Sequence, residues 1–198
     1  MHEKGWFRNL LFDPAGRWIA FAGYTSDTTV GPEILIRSFN PSIAGGAGPA
    51  RSSRAVQSMG VLPVSHQIVF TARDEDAQGN RVEGERTLHF LNPATRDIVR
   101  SLLLLAPGER SSTCISNLRF SPDGTRLAAA NHDGRRVNLY NVASSRRLYS
   151  LPDDTGVIWW LAWHPDGRRL AVARESGDIS VWNLPEVEAA IAEAGLAP

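Results

Sequence analysis

Five histidines, one cysteine and several acidic clusters are the residues of this 198-residue chain with the most obvious chemical potential. Their spacing argues against an enzyme. His2, His66, His89, His132 and His164 never form a metal-spaced pair, and no His-Glu-x-x-His motif occurs. There is no Gly-x-Ser-x-Gly nucleophile elbow. The "GGAG" at Gly45 to Gly48 has no Lys-Ser/Thr at P-loop spacing, so it reads as a flexible linker. Asp74-Glu75-Asp76 and Asp153-Asp154 read as solvated loops rather than cation sites. Cys114 has no identifiable histidine partner and reads as a small buried hydrophobe. The sequence predicts no catalytic residues, no cofactor and no metal.

What positions the remaining candidates is a repeat. "LRFSPDGTRLAAANHDGRRVNLYN" (Leu118 to Asn141) aligns with "LAWHPDGRRLAVARESGDISVWN" (Leu161 to Asn183). A third copy, "LLFDPAGRWIAFAGYTSDTTVGPEILIRSFN", runs from Leu10 to Asn40. A fourth, from Val61 to Asn92, has lost the Pro-Asp-Gly turn and carries a polar insertion from Asp74 to Glu85. Asparagine closes the third strand at 40, 92, 141 and 183, at intervals of 52, 49 and 42, with an aromatic just before it. Self-similarity at this period marks a repeat architecture. Segments such as "RLAVA" and "DISVWN" are β-branched or apolar, of strand length, and bounded by Gly, Pro, Asp and Asn. In Pro-Asp-Gly, proline presets φ and glycine accepts the left-handed conformation. A fourth strand follows Asn92 ("RDIVRSLLLL") and Asn141 ("RRLYSL"), and a short, weak one is expected after Asn40. After Asn183 comes "PEVEAAIAEAGLAP", expected to be a helix capping the last unit, with Val187, Ile191 and Leu196 as its apolar stripe.

The alignment isolates one contrast. Ile158, Leu161 and Trp163 match apolar residues in the other copies and read as core. Trp159 and Trp160 match Ser116-Asn117 and Arg8-Asn9, which are polar. Two indoles at positions that are elsewhere polar imply either a contact surface or cover by the C-terminal helix. Aromatics and arginine dominate binding hot spots. Arg8, Ser116, Trp159 and Trp160 are therefore the candidate protein-binding residues.

Four-stranded meanders at this period, each closing its third strand with aromatic-Asp or a variant, resemble WD-repeat β-propellers. The residues carrying the likeness are "FSPDGTRLAAANHDGRRVNLYN" and "WHPDGRRLAVARESGDISVWN". The bacterial type is the nearer resemblance, with this chain as C-terminal blades. The resemblance implies an all-β fold: a propeller or open propeller arc of about four four-stranded blades with a short C-terminal helix. Blades are expected at about 5–57, 58–106, 107–151 and 152–184, with a helical tail over 185–198. The family's Gly-His pair is absent, and its Trp is kept only at Trp182, so the hydrogen-bonded tetrad of a standard blade is expected to be incomplete. Asn can replace Asp after the aromatic, because both bond their own backbone in turns. Propellers have roughly four to eight blades. The expectation is an arc, derived from a longer protein or completed by a second copy, which would self-associate through uncovered blade faces.

Charge and composition agree with this class. The formal net charge is +0, from 21 basic and 21 acidic residues, which gives no footprint for nucleic acid or an anionic membrane. "LLLLA" at Leu102 to Ala106 is too short to span a bilayer. The first residues, "MHEKGWFRNLLFDPAG", show no signal-peptide pattern, and a lone cysteine fits a reducing, cytoplasmic setting. The expected function is a non-enzymatic scaffold binding a protein or peptide within a larger signalling or regulatory assembly. The alternative is a propeller acting as gate or docking part for a peptidase or periplasmic translocation system, or a truncated fragment.

Overall fold

The computed structural model describes residues 5–25, 33–39, 50–51, 56–72, 87–104, 115–131, 136–152 and 156–196. The polar insertion at Asp74 to Glu85, the "GGAG" stretch, Cys114, His132 and both acidic clusters lie outside these residues. The chain divides into two compact units, Met1–Cys114 and Ile115–Pro198.

The first unit holds two antiparallel meanders. One is β1 (Gly5–Phe12), β2 (Trp18–Thr25), β3 (Glu33–Ser38) and the two-residue β4 (Ala50–Arg51). The other is β5 (Val56–Leu62), β6 (Gln67–Ala72), β7 (Thr87–Leu91) and β8 (Ile98–Leu103). Their register sorts residues onto faces, because side chains alternate along a strand. Leu11, Ala20 and Ile36 form one row of the first sheet, and Ala22 and Ile34 share the next. This face packs on Met59, Ile68, Phe70 and Leu91 of the second sheet.

The second unit repeats the plan. Its four-stranded sheet is β9 (Ile115–Phe120), β10 (Arg126–Asn131), β11 (Val137–Asn141) and β12 (Arg147–Ser150). Its last sheet has three strands, β13 (Ile158–Trp163), β14 (Arg169–Arg174) and β15 (Ile179–Asn183). Ala128, Ala130, Val137 and Leu139 pack against Ile158, Leu161, Leu170 and Val172. Each fully buried aliphatic side chain of this seam contributes about 1.5–3 kcal/mol.

The turns form as the sequence chemistry dictates. At Asp13–Gly16, Ser121–Gly124 and His164–Gly167 the glycine N–H bonds the carbonyl three residues back, with the glycine φ near +70° (69°, 70° and 68°). In the degraded copy that left-handed conformation falls on His66, φ 56°. The asparagines act as expected. Asn92 Oδ1 accepts from Ala94 N at 2.9 Å, and Asn141 Oδ1 from Ser144 N at 2.9 Å.

Asn183 behaves differently, because Pro185 follows it. Here the backbone enters α1 (Leu184–Glu193), and no fourth strand joins β15 among the described residues. The helix follows directly on the last strand, packs with Leu170 and Val172, and also reaches back to the third sheet. Tyr149 Oη donates to Glu188 at 2.9 Å, Arg126 pairs with Glu188 at 2.8 Å, and Leu184 and Val187 join the core. Leu196 is exposed and takes no part in the stripe. No described helix is long and apolar enough to cross a membrane.

Candidate interaction surface

The first strand of every sheet carries the same irregularity. In β1 the register slips between Phe7 and Asn9, leaving Arg8 as the extra residue. In β5 it slips between Val56 and Ser58, at Gln57. In β9 Asn117 faces Ala130 and Ile115 faces Asn131, so Ser116 is extra. In β13 the slip between Ile158 and Trp160 singles out Trp159. A β-bulge leaves one residue out of the ladder and re-aims side chains, and such bulges concentrate at functional sites.

Three of the four sequence candidates, Arg8, Ser116 and Trp159, are therefore bulge residues, and Trp160 is the next residue along. Each unit holds its own share: Arg8 in the first, and Ser116, Trp159 and Trp160 in the second. The side chains of Arg8 and Ser116 lie outside the described set. The register also supplies a residue that sequence reasoning passed over, Gln57. Its copy has lost the Pro-Asp-Gly landmark, so only the pairing reveals its place.

In the second unit the surface can be built atom by atom. Trp159 and Trp160 are 64% and 56% exposed. Helix α1 leaves them exposed. Asn117 Nδ2 donates to the Trp159 carbonyl at 3.1 Å, fastening the two bulged strands to each other. The Arg119 guanidinium stands 4.2 Å from the centre of a Trp160 ring. Such a cation–π contact holds an exposed indole in one place. Burial lowers the pKa of Arg119 from its ordinary value. Trp163 behaves as a positioning residue, with its Nε1 donating to the Arg119 carbonyl at 2.9 Å. Arg119 was not singled out by the alignment. Its counterpart in the last copy is Ala162, so nothing at that position suggested an aromatic partner.

The remaining titratable groups are structural. Burial pushes the Asp13 carboxyl up, but hydrogen bonds from the Arg17 side chain and backbone, then His66, outweigh it and hold the pKa at about 2. His66 Nδ1 lies 2.6 Å from Asp13 Oδ1, so the pair ties the second sheet's turn to the first's. Asp166 is held below the usual carboxylate range by the Arg168 backbone N–H and by Arg169. His164 lies beside it at 3.0 Å, in the same exposed turn. No cluster of His, Cys, Asp and Glu among the described residues could hold a metal. Trp182 Nε1 has no partner among the described residues, so the tetrad of a standard blade is not made in the last sheet.

Comparisons with known proteins agree with this architecture. The pattern of the WD domain, G-beta repeat, matches residues 100–140 and 145–183. Each match begins on or just before the outer strand of one sheet and ends on the third strand of the next. Autophagy-related protein 18 of Schizosaccharomyces pombe is 33% identical over 95 residues, 46% of this chain and 25% of that protein. Jouberin of Rattus norvegicus is 34% identical over 137 residues, 67% of this chain and 13% of that protein. The chain thus spans a quarter or less of these relatives. Both are eukaryotic and lend no support to a bacterial subtype. A chain in the "Crystal Structure of Mitotic Checkpoint Complex" superposes with a TM-score of 0.63 at 16% identity, over 89% of this chain and 50% of that one. Residues 100–140 and 145–183 thus match the WD40 repeat pattern, in an all-β chain of propeller-type sheets.

Proposed function

We propose that this chain is a non-enzymatic interaction scaffold that binds a protein or peptide partner, with Trp159 and Trp160 as the anchors of the second unit's binding surface. One observation carries the reading: a bulge on the first strand of the last sheet turns two indoles to solvent beside Arg119, at positions that are polar in the other copies. Trp and Arg supply most of the energy at protein interfaces. Ser116 at the neighbouring bulge extends the surface, and Arg8 and Gln57 mark the matching bulges of the first unit. WD40 repeats support this reading, because repeat arrays offer extended binding surfaces on a rigid frame. Membership of a larger assembly and a cytoplasmic setting belong to the same proposal, the latter resting on the lone Cys114.

The test is affinity capture from source-cell extract with the wild-type chain and the Trp159→Ala/Trp160→Ala variant side by side, their folds matched by circular dichroism. The proposal expects polypeptides retained by the wild type and lost by the variant. The same set on both would contradict it.

A further inference from the structure

The bulge at Ser116 lies on the first strand of the third sheet. At the opposite edge of that sheet, α1 meets the outer strand β12. A pocket of about 490 Å³ lies between them, within the range of about 300–1,000 Å³ usual for small-ligand sites. Its walls follow from two local features. On β12, Tyr149 faces Leu139 and Arg147 faces Tyr140, so Leu148 is an extra residue. A bulge of this kind lets two consecutive residues, Leu148 and Tyr149, line the same pocket. On α1, Glu188 and Ile191 are three residues apart and share one helix face. Leu148, Tyr149 and Ile191 thus supply the apolar part of the lining.

The polar part is Arg126, Glu188 and Asn141. Arg126 Nη1 pairs with Glu188 Oε1 at 2.8 Å, and Tyr149 Oη donates to the same oxygen at 2.9 Å. Burial, and then that bond, raises the Tyr149 pKa, so the phenol stays protonated and donating. Both contacts fall on one carboxylate oxygen. Among the described residues, Glu188 Oε2, the other guanidinium N–H groups of Arg126 and the Nδ2 of Asn141 have no partner. The Arg126 and Glu188 side chains are 32% and 35% exposed, so an arriving ligand can reach the pair. The nearby Asp123 carboxylate is taken by Ser121 and Thr125.

We infer that this pocket binds a free α-amino acid with a large apolar side chain, its carboxylate on Arg126 and Asn141 and its ammonium on Glu188. The charges of the lining select this class. A guanidinium and a carboxylate stand side by side, so a simple anion is repelled by Glu188 and a simple cation by Arg126. A zwitterion carries the same two charges side by side. Laid along the pair in the opposite order, it adds a charge-assisted bond to each member through atoms the pair does not use. Leu148, Tyr149 and Ile191 then take the side chain out of water.

The test is isothermal titration calorimetry of the full chain with L-leucine and L-phenylalanine. Three comparison compounds each lack one recognised part: N-acetyl-L-leucine the ammonium, L-leucinamide the carboxylate, and glycine the side chain. At least one of the two amino acids is expected to bind with a Kd below about 1 mM, and each comparison compound about tenfold more weakly or worse. Arg126→Gln should abolish the preference for L-leucine over L-leucinamide, and Glu188→Gln the preference over N-acetyl-L-leucine. Circular dichroism checks that both variants fold, and if one does not, the compound series on the wild type decides alone. No binding of either amino acid would overturn the inference. So would N-acetyl-L-leucine or L-leucinamide binding as tightly as L-leucine, or folded variants that bind L-leucine as the wild type does.

Discussion

The two sheets of the second unit come from nearly the same sequence, yet they end in different situations. Both carry a Pro-Asp-Gly turn, an alanine pair on the second strand and an aromatic-Asn close. In the third sheet, Asn141 turns the chain back into β12, and Ala128 and Ala130 are fully buried. In the last sheet, Asn183 leads through Pro185 into α1, the fourth strand is missing among the described residues, and Ala171 and Ala173 stay half-buried. The same divergence acts at the bulge, where Ser116 and Asn117 of one copy become two exposed tryptophans in the other. The third sheet lends Asn117 and Arg119 to the bulge region and otherwise packs. The last sheet combines one packed face with an exposed indole pair, and the helix-forming segment after its final strand accompanies the difference.

That contrast can be broken most strongly at the seam. Leu170 is fully buried while Val181, on the opposite face of the same sheet, is mostly exposed. Leu170→Ala should cost about 2–5 kcal/mol through lost burial and the cavity left behind. Val181→Ala should cost less than about 0.5 kcal/mol. Urea unfolding of both, at a concentration where the chain is monomeric, measures the difference.

The turns allow a second test. Asp13 is fully buried at its side chain and held at about pKa 2, against an ordinary 3.8. A depressed carboxylate contributes stability that is present above the unfolded pKa and lost as pH falls through the folded value. The wild type should therefore lose stability between about pH 4 and pH 2, and Asp13→Asn should cost about 1–3 kcal/mol at neutral pH. The corresponding Asp166 turn is exposed, and Asp166→Asn should cost less than Asp13→Asn at the same pH. Denaturant titrations across pH 2–7 read both.

A smaller effect is expected where α1 ties to the third sheet. Burial first, and then the Glu188 hydrogen bond, raises the Tyr149 pKa above its ordinary 10.0. Glu188→Gln should lower it, as read by ultraviolet titration of the phenol, and should cost about 0.5–1 kcal/mol for a partly exposed ion pair with Arg126. The smallest effect belongs to the presented surface itself. A double-mutant cycle on Arg119→Gln and Trp160→Ala should return a coupling of about 0.5–1 kcal/mol.

The parts of this structure that were legible in the sequence are those fixed by local chemistry. Gly16, Gly124 and Gly167 announced their turns because the left-handed backbone favours glycine. Asn92 and Asn141 announced theirs through the side-chain bonds they make to the next residues. The helix after Asn183 was legible in its first-turn proline followed by Glu and Ala helix formers. Long-range pairings were not legible. Nothing in "PEVEAAIAE" states that Glu188 will meet Tyr149 and Arg126 on another sheet. Arg119 looked like an ordinary strand arginine until the neighbouring bulge brought Trp160 against it. Gln57 was hidden because its copy kept the strand pairing but lost the turn that would have aligned it.

The central claim is that the last sheet seats Trp163 on its packed face and presents Trp159 and Trp160 to solvent. Hydroxyl-radical footprinting of the dilute chain, read residue by residue by mass spectrometry, measures this directly. The account predicts oxidation of Trp159 and Trp160 several times faster than of Trp163. Equal rates for all three, or protection of the pair in the dilute chain, would contradict it.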